Sequence, residues 1–141
     1  MYFSFQKDGI LKKTILLSRD LRIGDKVAND YTVINIEEGR PTADVALSRL
    51  KSELVRAKAQ NIKVVKLIHG YGSSGVGGIL KTVVRRELER MKKRGTIKLY
   101  VPGESFEIFN ADTIKILDSC SSVRNDRDLG RFNNGITMVL L

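Results

Sequence analysis

The sequence predicts an α/β domain. Three observations lead there. Short β-branched runs at 31–36, 63–68 and 96–101 alternate with two longer stretches of helical period, 42–59 and 77–94. The second run ends in the only histidine, His69, and opens into a loop with five glycines in the nine positions 70–78. The chain ends on an apolar run, 136–141, which suits one more strand. A strand–helix–strand–helix–strand series makes parallel strands joined by right-handed crossovers.

Each element has its own local cause. Residues 2–7 alternate between bulky and polar types, and Asp8-Gly9 separates them from the runs 10–11 and 14–17. Asp-Gly in that setting predicts a type I′ hairpin, so 1–30 reads as an N-terminal extension with 18–30 as its connection. The strand at 31–36 is stopped by Glu37-Glu38-Gly39-Arg40-Pro41. Thr42 then serves as N-cap and Asp44 suits the first turn of a helix reaching about Ala59. Its inward face is Ala43, Ala46, Leu47, Leu50, Leu54 and Ala57; Arg49, Lys51, Glu53, Arg56 and Lys58 face out. The second helix, 77–94, has Ile79, Leu80, Val83, Val84, Leu88 and Met91 on its core face, with Gly95 as the residue that ends it. The third strand stops at Pro102-Gly103. Between about 105 and 131 lies an insert. Asn110 suits the cap of a helix over 111–120 with Ile114, Leu117 and Cys120 inward, although the β-branched content of 113–116 leaves a strand open.

Charge narrows the partners. Lys and Arg number 25 against 16 Asp and Glu, a net charge of +9 on 141 residues. An excess of this size points to a polyanion, nucleic acid before an anionic membrane surface. A single cysteine, Cys120, forms no internal disulfide and fits a reducing compartment. The N-terminus has no apolar run behind a basic start, and no apolar stretch is long enough to span a bilayer, so a cytoplasmic protein without membrane attachment is expected.

The glycine loop is the candidate chemical site. Glycines permit sharp turns and close approach to the backbone, and a helix N-terminus presents free N–H groups to an anion. Gly70-Tyr71-Gly72-Ser73-Ser74-Gly75 fits the G-x-G-x-x-G pattern of dinucleotide sites, with Glu104 as the loose candidate for the ribose contact. That reading wants the motif on the first strand of a larger sheet. The Walker A pattern fails because Leu80 precedes Lys81-Thr82, and one histidine with one cysteine supports no zinc site. His69 ends a strand, where such a ring is either a structural residue bonded to backbone or a proton-transfer group. Tyr71 either stacks on a base or covers the loop.

The run Ile68-His69-Gly70-Tyr71-Gly72, continuing through Ser73-Ser74-Gly75-Val76-Gly77-Gly78-Ile79-Leu80-Lys81, resembles the His-Gly-x-Gly signature of the small MutS-related (Smr) domain. Pro41-Thr42-Ala43-Asp44-Val45-Ala46-Leu47 is similar to that family's first helix entry, and Asn134-Gly135-Ile136-Thr137-Met138-Val139-Leu140 to its closing strand. The resemblance covers about 33–102 and 132–141. It implies a two-layer βαβαββ sandwich with a mixed sheet, like the C-terminal domain of bacterial translation initiation factor three, over 31–141 with the insert added. It also implies binding of branched or structured DNA or RNA, which some members nick or cleave. The family's Leu-Asp-Leu-His-Gly motif falls on Ile34-Asn35-Ile36-Glu37-Glu38-Gly39, so Asn35 replaces the aspartate. An amide is no general base, and that departure weighs against endonuclease activity but not against binding.

Taken together, a nucleic-acid-binding domain is expected, holding phosphates through Arg40, His69, Gly70, Tyr71, Gly72, Ser73, Ser74, Gly75, Gly77, Gly78, Lys81 and Arg85. His69 and Glu38 are the candidates for weak nicking. No metal ligands or cofactor are indicated, although a divalent ion such as magnesium is compatible with cleavage. The rivals are a non-catalytic module docking on a ribosome or another protein, and a small nucleotide-binding enzyme.

Overall fold

The computed structural model describes residues 30–71 and 77–141. The expected N-terminal hairpin, and Gly72, Ser73, Ser74 and Gly75 of the glycine loop, lie outside the described residues. The order is β1 (Tyr31–Asn35), α1 (Ala43–Ala59), β2 (Val64–Ile68), α2 (Gly77–Arg94), β3 (Leu99–Pro102), α3 (Ala111–Ser119) and β4 (Ile136–Leu140). Two 3-10 helices, Gly103–Ser105 and Ser121–Asn125, flank α3.

Local sequence explains the helix ends. Thr42 Oγ1 accepts from the Val45 amide at 3.3 Å, which starts α1 where the cap is expected. Asn110 does the same for α3, accepting from the Thr113 amide at 2.9 Å. Helix α2 ends at Gly95, whose φ of +79° allows Thr96 N–H to reach Met91 O at 2.9 Å.

The four strands form one mixed sheet in the order β1-β2-β4-β3. β1 and β2 pair in parallel, Tyr31 opposite Val64 through Asn35 opposite Ile68. β4 lies antiparallel to both β2 and β3. The last strand therefore separates β3 from β2: β1, β2 and β3 run in one direction, as the alternation requires, and β4 makes the sheet mixed, as the resemblance implied. Every residue of β4 is buried, which its unbroken apolar run anticipates.

Both faces of the sheet are covered. On one, Ile36, Val65, Leu67 and Val139 meet Ala46, Leu50 and Leu54 of α1 and Leu80, Val84, Leu88 and Met91 of α2. On the other, Val64, Val101, Ile136, Met138 and Leu140 meet Phe106, Ile116, Leu117, Cys120 and Val123. The insert is thus a third layer over the face that a two-layer sandwich leaves open. Two inward assignments change. Ile79 on the first turn of α2 is 56% exposed, and Ile114 is outward while Thr113 and Ile116 are buried. The rest of each assigned face holds, since Leu80, Val84, Leu117 and Cys120 are buried, so the two isoleucines sit at the edge of a stripe drawn too wide.

A buried ionic cluster fastens the insert to the sheet. Lys66 sits mid-strand on β2 at 6% exposure. Its ammonium donates to Asp126 Oδ1 at 3.0 Å and also pairs with Asp128. Tyr31 of β1 donates its hydroxyl to Asp126, and Asn133 Nδ2 donates to Asp128 at 3.1 Å. Burial opposes ionisation of Asp128, but Lys66 and Asn133 outweigh it and hold the carboxyl below its usual range. Burial first, then the bond to Asp126, pushes the Tyr31 phenol up. Removing only the cation strands two carboxylates in a dry layer. Lys66→Met is therefore expected to cost about 3–5 kcal/mol in urea unfolding, and adding Asp126→Asn and Asp128→Asn to it should recover much of that loss.

Candidate functional site

All four strands deliver loops to one rim of the sheet. The parallel strands β1 and β2 end there, β3 ends there, and antiparallel β4 begins there. The rim thus gathers residues 37–40, 69–71, 103–105 and 131–135, with the start of α2 beyond the glycine loop. The two loops expected as neighbours do meet: a Cβ placed on Gly70 would lie 2.7 Å from Glu37 Oε1. Gly70 also has a φ of +78°, so both backbone and space exclude a side chain.

His69 is fully buried. Its Nδ1 lies 2.8 Å from Gly70 O, and its Nε2 2.8 Å from Thr137 Oγ1. A carbonyl only accepts, so Nδ1 carries the proton and Nε2 accepts from the Thr137 hydroxyl. Thr137 in turn accepts from Arg85 Nε at 3.0 Å. Desolvation, with the positive charge of Arg85 and Lys81 nearby, lowers the His69 pKa to about 4, against the raising effect of the Gly70 carbonyl. The ring is neutral near pH 7 and has no nitrogen left over. Of the two sequence readings, the geometry matches the structural one, a ring bonded to backbone and core.

Arg85 is engaged as well. Its Nη1 and Nη2 each donate to a Glu104 carboxylate oxygen at 2.9 Å, and Nη2 also donates to Ile136 O at 3.0 Å. Desolvation acts against the Glu104 charge, but Arg85 holds the carboxyl below its usual range. An arginine expected to meet phosphate is filled by the protein's own carboxylate, and Glu104 is likewise not placed as a free ribose ligand. Arg85 instead positions Thr137, and through it His69.

Glu38 is exposed on the β1–α1 loop. It lines a depression on the β1 side with Val33, Asn35, Arg49 and Glu53. Glu37 is the acidic residue that reaches the His69–Gly70 turn. Asn35 spends its side-chain oxygen on the Glu37 amide at 3.0 Å, closing a local turn. Arg49, read from the sequence as an outward charge, holds that turn from below by donating to Ile36 O at 2.9 Å and Glu38 O at 2.8 Å. Its position nearly two turns into α1, facing the β1–α1 connection, is the signal that would have found it. Gly103, also missed, is buried with Asn133 O occupying the space a Cβ would need.

The remaining expected contacts lie at the surface. Arg40 is exposed, with a φ of 51° that turns it out of the core. Lys81 is half-buried on α2, directly after a first turn that contains no acidic residue. Tyr71 is 60% exposed, and its ring covers Gly135, where a Cβ would meet Tyr71 Cδ1 at 2.7 Å. The Gly135 carbonyl accepts from both the His69 and Gly70 amides at 3.0 Å. Among the described residues no cluster of three or more His, Cys, Asp or Glu could hold a metal ion, and no helix is long and apolar enough to cross a membrane.

The histidine makes a pH prediction. The unfolded chain takes up a proton near pH 6.5, the folded ring only near 4. Between those values the unfolded state binds more protons, so stability is full above 6.5 and falls as pH drops. The loss reaches about 3 kcal/mol at the low end. His69→Asn should be less stable at neutral pH, and its urea midpoint should decline less steeply through that window, carboxylate titration being common to both proteins.

The Smr domain family model matches residues 39–104. That span runs from Gly39 through the His-Gly loop and α2 to Glu104, and leaves out Glu37, Glu38 and the loop before β4. No curated protein and no solved structure matches the chain. The match takes in two of the three segments that suggested the resemblance, 41–47 and 68–81 but not 134–140, and residues 39–104 of the chain carry an Smr domain.

Proposed function

We propose that this domain binds structured DNA or RNA through its sugar–phosphate backbone, along the rim where β1 and β2 end. The observation that carries the reading is the start of α2. This 18-residue helix begins at Gly77-Gly78 with no carboxylate in its first turn, so its positive end is not neutralised from within. Lys81 adds a cation directly after that turn and Arg40 another at the neighbouring loop. Phosphate contacts of this kind fix position without reading bases, which suits recognition of shape over sequence. The Smr match supports the class of partner, and the βαβα order closed by β4 supports a sandwich of the βαβαββ type with residues 103–131 added.

Binding without cleavage is the better-supported form. His69 has both nitrogens occupied, Asn35 spends its amide oxygen on a local turn, and the carboxylate at the His69–Gly70 turn is that of Glu37 and not of Glu38. The fixed His69–Thr137–Arg85 chain holds the loop in shape and needs no proton to move.

Fluorescence anisotropy with branched DNA and structured RNA across a salt series tests this. Affinity should fall steeply with salt, and Lys81→Gln should weaken binding on every substrate while flattening the logarithmic salt slope by about one. Affinity independent of salt would overturn the reading. Strand scission with magnesium that disappears in a folded His69→Asn protein would overturn the non-catalytic form.

A further inference from the structure

At the end of the rim formed by the loop before β4 lies a concavity away from the start of α2, Lys81 and Arg40. It has a volume of about 710 Å³, within the range of small-ligand sites. Tyr71 lines it from the His-Gly side, and Arg127, Arg131 and Phe132 are among the residues of 127–134 that line it from the other. Asp128 lies in its floor, but its carboxylate already serves Lys66 and Asn133. The groove therefore shows outward two guanidiniums and two aromatic rings. Neither Arg127 nor Arg131 takes part in an ion pair among the described residues.

Phe132 has no packing reason to be aromatic. It is 66% exposed and its φ is +56°, a region where bulky side chains are disfavoured. The turn that holds it is anchored on both sides. Gly130 N–H donates to Phe106 O at 2.8 Å, and Asn133 Oδ1 accepts from the Gly135 amide at 2.9 Å. Asp128 ties the same turn to Lys66 in the sheet. A rigid support that presents an aromatic ring to solvent beside two free-facing arginines is suited to a flat, anionic ligand.

We infer that this groove takes an unpaired nucleotide, its base stacked on Phe132 with Tyr71 as the facing wall and its phosphates met by Arg127 and Arg131. Stacking requires a base outside a duplex, since paired bases hide their faces from side chains. The groove adjoins the rim through Tyr71, so a duplex on the rim would leave a single-stranded branch within reach of it. This rests on the nucleic-acid reading above and adds to it a site for a single-stranded tail, built from Tyr71 and the segment 127–134.

The test compares a blunt DNA hairpin, the same hairpin with a short single-stranded tail, and the RNA forms of both. Wild type should bind the tailed forms more tightly. Phe132→Asn keeps a residue that tolerates the left-handed backbone, and it should reduce affinity for tailed substrates about tenfold while leaving the blunt ones unchanged. Phe132→Tyr should retain the preference, and Arg127→Gln with Arg131→Gln should lower it together with its salt dependence. Equal loss on blunt and tailed forms, or a tail preference that survives Phe132→Asn, would overturn the groove's role while leaving rim binding in place. No binding of any of the four by wild type would overturn both.

Discussion

The hydroxyl of Thr137 is the point on which the site depends. A histidine can be fully buried only when both ring nitrogens have partners, because an unsatisfied polar atom in a dry core is costly. The backbone of Gly70 serves one nitrogen, and Thr137, 68 residues away in sequence, serves the other. The same hydroxyl accepts from Arg85, which Glu104 holds in a two-pronged pair. Four segments that meet nowhere in the sequence are thereby fixed to one geometry. The His-Gly turn, the entry of β4, α2 and the end of β3 cannot shift independently of one another.

A second polar knot does for the insert what this one does for the rim. Lys66, Tyr31, Asp126 and Asp128 bridge the sheet and the segment that covers its second face. Apolar contact through Phe106, Ile116 and Val123 supplies the bulk of that layer, but apolar contact has no direction. The ion cluster gives it a register, and with it the orientation of the turn bearing Phe132. The two knots also sort the charge of the molecule. Lys66, Arg85 and Arg49 are spent on the protein's own acceptors, whereas Arg40, Arg127 and Arg131 stay at the surface, so net charge alone does not say which cations meet a ligand.

Most of the elements could be read from the sequence because their causes are local. Thr42 and Asn110 cap the helices they were expected to cap, Gly95 ends α2, and the apolar spacing of Leu50, Leu54, Leu88 and Met91 gives the buried faces. Errors arose where the width of a buried stripe rested on packing, as at Ile79 and Ile114. Lys66 within Val-Val-Lys-Leu-Ile was a visible anomaly, but its partners lie 60 residues away and nothing local points to them.

By itself the sequence determined the α/β class, the helix limits, the His-Gly loop and the basic excess, since propensity, capping and periodicity act within a few residues. Tertiary structure alone decided that β4 would enter between β2 and β3, that the insert would cover the second face, and that Arg85 would be held by Glu104. These are pairings between groups far apart in the chain. Which cation meets which carboxylate, and which face of a strand is dry, follows from the closed three-dimensional surface and has no signature at short range.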